Sequence, residues 1–328
     1  MKVLVTGGAG FLGDLLIRRL LAAPLGLDGA SAREIDELVV ADLVAPRADL
    51  LRDPRVRALT GELQDTIGAA GDVDAVFHLA GVVSGAAEAD FDLGMHTNLD
   101  GTRRLLEAAR AQAEPPVLVF TSSLAVFGAD PAVGPVGVVT DDTLPRPQSS
   151  YGVQKFIGEQ LVADYTRKGF LRGRSVRLMT VSVRPGRPNA AASSFLSGIV
   201  REPIAGLRAE CPVPPDTPVA LSSPRRTIDG ILLAASVPAA RWGSRTAMNL
   251  PALTTTPRQM AAALDRVTGE PLSDLIDWTE DAGIRAMVGS WPAEFVTDRA
   301  AALGLLPESS YDDIVLAHLA HQRTQTGR

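Results

Sequence analysis

Apolar and polar positions along this chain fall into blocks whose period switches between that of a buried strand and that of an amphipathic helix. Residues Lys2 to Thr6 make a short apolar run that ends in glycines, and Leu15 to Leu21 follows with helical spacing. Comparable runs recur at Glu37 to Ala41, Ala75 to Leu79, Val117 to Ser122 and Ser175 to Leu178. Helical patterns lie between them, from about Met95 to Gln112 and from Tyr151 to about Thr166. Strands that are apolar throughout, rather than at every second position, are covered on both faces, so the alternation predicts an α/β fold on a doubly wound parallel sheet. Beyond Met179 the texture changes. Pro and Arg become frequent from Arg184 to Arg226, and helical patterns are confined to Ser194 to Arg201 and Thr256 to Thr268. The pattern therefore predicts a sheet-bearing domain over residues 1–180 and a smaller C-terminal region over 181–328, some segments of which return to the first domain.

The glycines after the first strand sharpen this picture. Gly7, Gly10 and Gly13 stand between an apolar strand and a helix, where glycine permits a tight turn and lets backbone N–H groups approach a diphosphate at the positive end of the helix. The sheet is thereby predicted to be of the Rossmann type. The second strand ends at Asp42, whose carboxylate suits both hydroxyls of an adenosine ribose and would repel a 2′-phosphate. NAD is therefore the expected cofactor, in preference to NADP. A strand-end aspartate is also a common turn residue, so Asp42 gains its meaning from the glycines in front of it.

Composition removes several other classes. The chain has 328 residues, 46% of them hydrophobic, and a formal net charge of −6, a balance that argues against nucleic acid as a partner. No apolar run reaches membrane-spanning length and the chain opens on a strand, so neither a membrane nor a signal peptide is expected. One cysteine, Cys211, excludes a disulfide framework and points to the cytoplasm. His78, His96, His318 and His321 lack metal-ligand spacing, and no metal is expected.

The chemistry concentrates at Tyr151 and Lys155, four apart and so on one helix face. Taken alone that spacing is most often a solvated face. Behind a dinucleotide turn it acquires a function, because an ammonium one turn away stabilises a phenolate and lets it take a proton near neutral pH. Lys155 would also bond the cofactor ribose.

Taken together, Gly7-x-x-Gly10-x-x-Gly13, Asp42, His78-Leu79-Ala80-Gly81, Asn98 before Gly101-Thr102, Thr121-Ser122-Ser123 before Val126-Phe127-Gly128, and Tyr151-x-x-x-Lys155 resemble an extended short-chain dehydrogenase/reductase over about residues 1–185. The resemblance implies Ser123, Tyr151 and Lys155 as catalytic residues, with Ser123, after the strand, holding the reacting oxygen. It adds Phe11, Leu12, Leu63, Leu79, Ala80, Gly81, Asn98, Ser122, Thr180 and Val181 to the cofactor set. The second half narrows it. Pro147 to Gly152, the run Val181 to Phe195, Ile199 to Pro203, Asn249-Leu250-Pro251 and Trp291-Pro292 look like the D-erythronate dehydrogenase branch, whose members oxidise the C2 hydroxyl of a four-carbon sugar acid with NAD. Met179 departs from that branch, which carries proline there, and a flexible thioether would alter the floor of the pocket. Substrate contacts are expected from Ser84, Ser123, Tyr151, Met179, Arg184, Arg187, Asn189 and Ser193, the arginines serving a carboxylate or, equally, local loop carbonyls. The resemblance implies a small-molecule substrate and allows for a homodimer. A nucleotide-sugar epimerase or dehydratase shares the glycines, Tyr151 and Lys155, and a non-catalytic NAD sensor would keep the fold while being expected to lose the tyrosine or lysine.

Overall fold

The structure is a computed structural model and describes residues 1–186 and 191–326. Its central sheet has seven strands: β1 (Lys2–Thr6), β2 (Glu37–Asp42), β3 (Val56–Thr60), β4 (Ala75–His78), β5 (Val117–Ser123), β6 (Arg172–Leu178) and a later strand, Met248–Asn249, in the order Met248–Asn249, β6, β5, β4, β1, β2, β3. β1 pairs in parallel with β2 on one side and β4 on the other, and the β2–β3 and β4–β5 pairs are parallel too. The chain winds outward from β1 in both directions, and the carboxyl ends of β1 and β4 are the switch point where such sheets take ligands. Val3, Leu4, Val5, Leu38, Val39, Val40, Leu118 and Val119 are at most 1% exposed, as strands covered on both faces require.

Three of the helices between its strands are α1 (Phe11–Ala22), α2 (Gly101–Arg110) and α3 (Ser150–Arg167). α2 follows a π-helical turn, Met95–Asp100, so the helix read from about Met95 is really two geometries in series, and the wider turn holds Asn98. β6 begins at Arg172, three residues before the strand read from Ser175. Arg172 and Arg174 hid its start. Arg174 is buried because it pairs with Asp28 at 2.6 Å, and Arg177 because it pairs with Glu159 at 2.8 Å. Periodicity counts such residues as polar although their partners allow them inside.

The chain divides into two compact units. The first comprises residues 1–123, 150–177 and 228–248 and contains nearly all of the sheet. Part of its core joins Leu4, Val76, Leu105, Leu106, Leu118 and Phe120. The second comprises residues 124–149, 178–227 and 249–328. It has a small sheet of β7 (Thr180–Val181), β8 (Val219–Ser222) and β9 (Leu253–Thr255), β8 being parallel to β7 and antiparallel to β9. Three helices pack with it around Ile199, Leu221, Met260, Leu264 and Ile314: α4 (Phe195–Ile204), α5 (Pro257–Thr268) and α6 (Tyr311–Thr326). Thr256 stands outside the helix read over 256–268. It is the N-cap, closing a capping box with Gln259, and Gly269 ends the helix in the left-handed conformation.

Candidate active site

At Gly7 and Gly13 the turn leaves no room for a side chain. Gly7 has φ +70°, and a Cβ there would lie 2.6 Å from the Ala80 nitrogen, while a Cβ on Gly13 would lie 2.3 Å from the Gly7 carbonyl oxygen. These approaches bring α1 against the ends of β1 and β4. Gly10 is the N-cap of α1 and supplies no side-chain cap, so the first-turn N–H groups, beginning with Phe11 and Leu12, keep their donor capacity for an anion. Asp42 is anchored beside the turn: its two carboxylate oxygens accept from the backbone N–H of Ala9 at 2.9 Å and of Val44 at 3.3 Å, leaving lone pairs for ribose hydroxyls. An uncapped helix end, a turn without side chains and an anchored carboxylate suit the diphosphate and adenosine ribose of NAD.

At the end of β4 a run of hydrogen bonds has one sense throughout. Thr102 Oγ donates to the Asn98 carbonyl at 2.6 Å, so its lone pair receives His78 Nε2–H at 2.9 Å. His78 Nδ1 is then the acceptor, taking the Thr6 hydroxyl at 2.6 Å, and Thr6 in turn accepts the Ala80 N–H at 3.3 Å. His78 is thus a neutral imidazole with both nitrogens in use. Burial, and secondarily the charge of Lys155, push its pKa down to about 3. It braces the strand end. Asn98 is held as firmly: its carboxamide oxygen accepts Val82 N–H at 2.7 Å and its nitrogen donates to the Val82 carbonyl at 3.1 Å and to Gln154 at 2.7 Å.

α3 brings Tyr151 and Lys155 to β5. Gly158 permits the approach, since a Cβ there would stand 2.6 Å from the Phe120 ring. Lys155 is buried, its Nζ donating to the Thr121 carbonyl at 3.0 Å and lying 4.9 Å from the Phe120 ring centroid and 5.7 Å from that of Tyr151. Burial lowers its pKa to about 8, against an opposing pull from Glu159. It is therefore an ammonium at neutral pH, beside the phenol. Along β5 the side chains alternate: Thr121 donates to the His78 carbonyl, Ser122 donates to Glu159 at 2.5 Å, and Ser123, less buried, ends the strand. The Ser122 hydroxyl proton is thus engaged by Glu159.

The other expected residues divide by unit. In the first, Leu63 opens a single helical turn and Ser84 opens a short helix, where it is 6% exposed. Leu79 continues β4 by donating its N–H to the Thr6 carbonyl. Gly81 lies against Asn98 and Lys155: a Cβ there would be 2.9 Å from the carboxamide oxygen and 3.4 Å from Nζ. In the second unit, Thr180 and Val181 form β7, and Arg184 donates to the Val181 carbonyl at 3.1 Å and to Ser193 at 3.0 Å. Met179, expected to reach toward substrate, is 3% exposed and packs with Leu124 and Ala220, near Trp291 and Phe295. Arg187 and Asn189 lie outside the described residues. Sequence reading passed over Gln154, Glu159 and Arg177. Only Glu159 left a signal, standing four residues after Lys155 as Lys155 stands after Tyr151.

Among the described residues no group of three His, Cys, Asp or Glu could hold a metal ion, and no helix is long and apolar enough to cross a membrane. Residues 3–216 match the model of the NAD dependent epimerase/dehydratase family. A D-erythronate dehydrogenase of Cupriavidus necator is 50% identical over 324 residues, spanning 97% of this chain and 98% of that protein. Its counterpart in Haemophilus influenzae is 40% identical over 96% of this chain and 98% of its own length. The crystal structure of a nucleoside-diphosphate-sugar epimerase from Agrobacterium tumefaciens superposes with a TM-score of 0.85 at 37% identity, covering 98% of this chain and 94% of that one.

Proposed function

The chain belongs to the NAD dependent epimerase/dehydratase family, and from that premise we propose that it is an NAD-dependent dehydrogenase that oxidises the C2 hydroxyl of D-erythronate, or of a closely related sugar acid, to the 2-oxo acid. The observation that carries this reading is the 50% identity to a D-erythronate dehydrogenase over nearly the full length of both chains. Gly7, Gly10, Gly13 and the start of α1 would hold the diphosphate and Asp42 the adenosine ribose. Bound there, NAD supplies the acceptor for the hydride that leaves C2. Tyr151 takes the hydroxyl proton as that hydride departs, Ser123 donates a hydrogen bond to the reacting oxygen, and Lys155 favours the phenolate while bonding the nicotinamide ribose.

The experiment is a panel of sugar acids, sugar nucleotides and simple alcohols with NAD, followed by NADH absorbance. Steady NADH formation with D-erythronate is expected. The likeness to a structure described as a nucleoside-diphosphate-sugar epimerase favours a second reading, isomerisation of a sugar nucleotide, which would give product without net NADH. Tyr151→Phe separates chemistry from binding: turnover should fall at least about a thousandfold with NAD affinity within a few-fold, because the ring still packs and only the proton acceptor is lost. A variant that kept most of its kcat would remove Tyr151 from the role of base.

A further inference from the structure

Tyr151, Lys155 and Glu159 occupy three successive turns of α3 on one face. Glu159 is 2% exposed, and a carboxylate there is costly unless its oxygens are occupied. They are occupied. One oxygen receives the Ser122 hydroxyl at 2.5 Å and Arg177 Nε at 2.9 Å, and the other receives Arg177 Nη2 at 2.8 Å. Ser122 lies on β5 and Arg177 on the neighbouring strand β6, so two strands fix one carboxylate in a bidentate geometry.

The groups that face Lys155 make this clamp more than structural. From β5 come the Thr121 carbonyl and the Phe120 ring, and from β4 the uncharged His78. The π-helical turn contributes the Asn98 carboxamide, which flanks the same Gly81 as Nζ. From its own helix come Tyr151 and, one turn further on, Glu159, which is paired with Arg177. Among these groups the fixed anion is Glu159. We propose that Glu159, clamped by Ser122 and Arg177, is a positioning residue that keeps Lys155 in its ammonium form beneath Tyr151. This rests on the reading of Tyr151 and Lys155 as the catalytic pair. It also assigns a use to a buried ion pair that an apolar pair could otherwise replace without loss of stability.

The chain has three lysines, Lys2, Lys155 and Lys168, so lysine labelled at Cε gives an NMR titration that Lys155→Met assigns at once. In the full-length protein the Lys155 midpoint is expected near 8. In Glu159→Gln, and in the double variant Glu159→Gln/Arg177→Met, it should fall by about one unit or more, and the alkaline limb of kcat/KM should move down with it. The double variant leaves no unpaired arginine, so it is expected to fold even where the single variant does not. It also separates the two roles: a merely structural pair has cancelling charges, and removing both would leave the Lys155 midpoint in place. That result, in a folded double variant, overturns the proposal. Glu159→Asp, which restores the charge, should recover part of the shift. An unmodified protein that forms no NADH from D-erythronate, beside Glu159 variants whose Lys155 midpoint falls as described, would refute the substrate reading and leave this one standing.

Discussion

At the scale of single residues, two buried bases are held uncomfortably, and each gives a measurable signature. Lys155 has its pKa lowered to about 8 by burial, so folding opposes its charge. The penalty is fully present below pH 8, fades between 8 and the ordinary lysine value of 10.5, and is absent above that. Lys155→Met keeps the shape and removes the charge. It is expected to raise stability at pH 7 by about 1–3 kcal/mol while abolishing turnover, and the gain, read by urea unfolding, should vanish above pH 10.5. His78 has the same sign. Its folded pKa, about 3, lies below the ordinary 6.5, so the stability it contributes is complete above pH 6.5 and is lost as pH falls toward 3, in total roughly 5 kcal/mol. His318, held down to about 4 by burial first and nearby positive charge second, adds to the same loss. Acid unfolding between pH 6.5 and 4 should therefore be shallower in His78→Gln than in the unmodified chain. Equal slopes would show that the imidazole is already charged when folded.

At the scale of elements, closeness is set by glycines and by paired charges, and the two were unequally legible in the sequence. The turn at Gly7, Gly10 and Gly13 was readable because three glycines between a strand and a helix have few other uses. Tyr151 and Lys155 were readable because a helix face is fixed by spacing alone. Glu159, Arg177 and the donor run from Ala80 to Asn98 were not, since each depends on which strands become neighbours, and that follows from the sheet order rather than from local pattern. Met179 was singled out for its place beside a strand end, and its packing with Leu124 and Ala220 likewise depends on chain neighbours that no local pattern reveals. The contact between α3 and β5 offers a test at this scale. In Gly158→Val the new side chain meets Phe120, under Lys155. A loss of about 1–3 kcal/mol is expected. Turnover of the fraction still folded should also drop, because the ammonium moves with the helix. Full activity per folded molecule would show that the fit there serves packing alone.

At the scale of the whole molecule, the sequence suggested a boundary at 180, and the chain crosses from the first unit to the second between 177 and 178. What local pattern did not reveal is how often it crosses. Residues 124–149 leave for the second unit before α3 returns, and 228–248 come back again, because an amphipathic helix or a short strand looks alike whichever core it joins. The sheet order then has a consequence in time. During synthesis β6 emerges about 70 residues ahead of Met248–Asn249, the strand that borders it. At roughly 5–20 residues per second its open edge waits for roughly 4–14 s, long enough for a chaperone or another nascent chain to find it. Ribosome-bound chains stalled with residue 220 just outside the exit tunnel should be cut by protease within β6 and capture chaperone. Chains stalled with residue 270 outside should do neither, and equal protection at both lengths would mean that the edge is covered by some earlier segment.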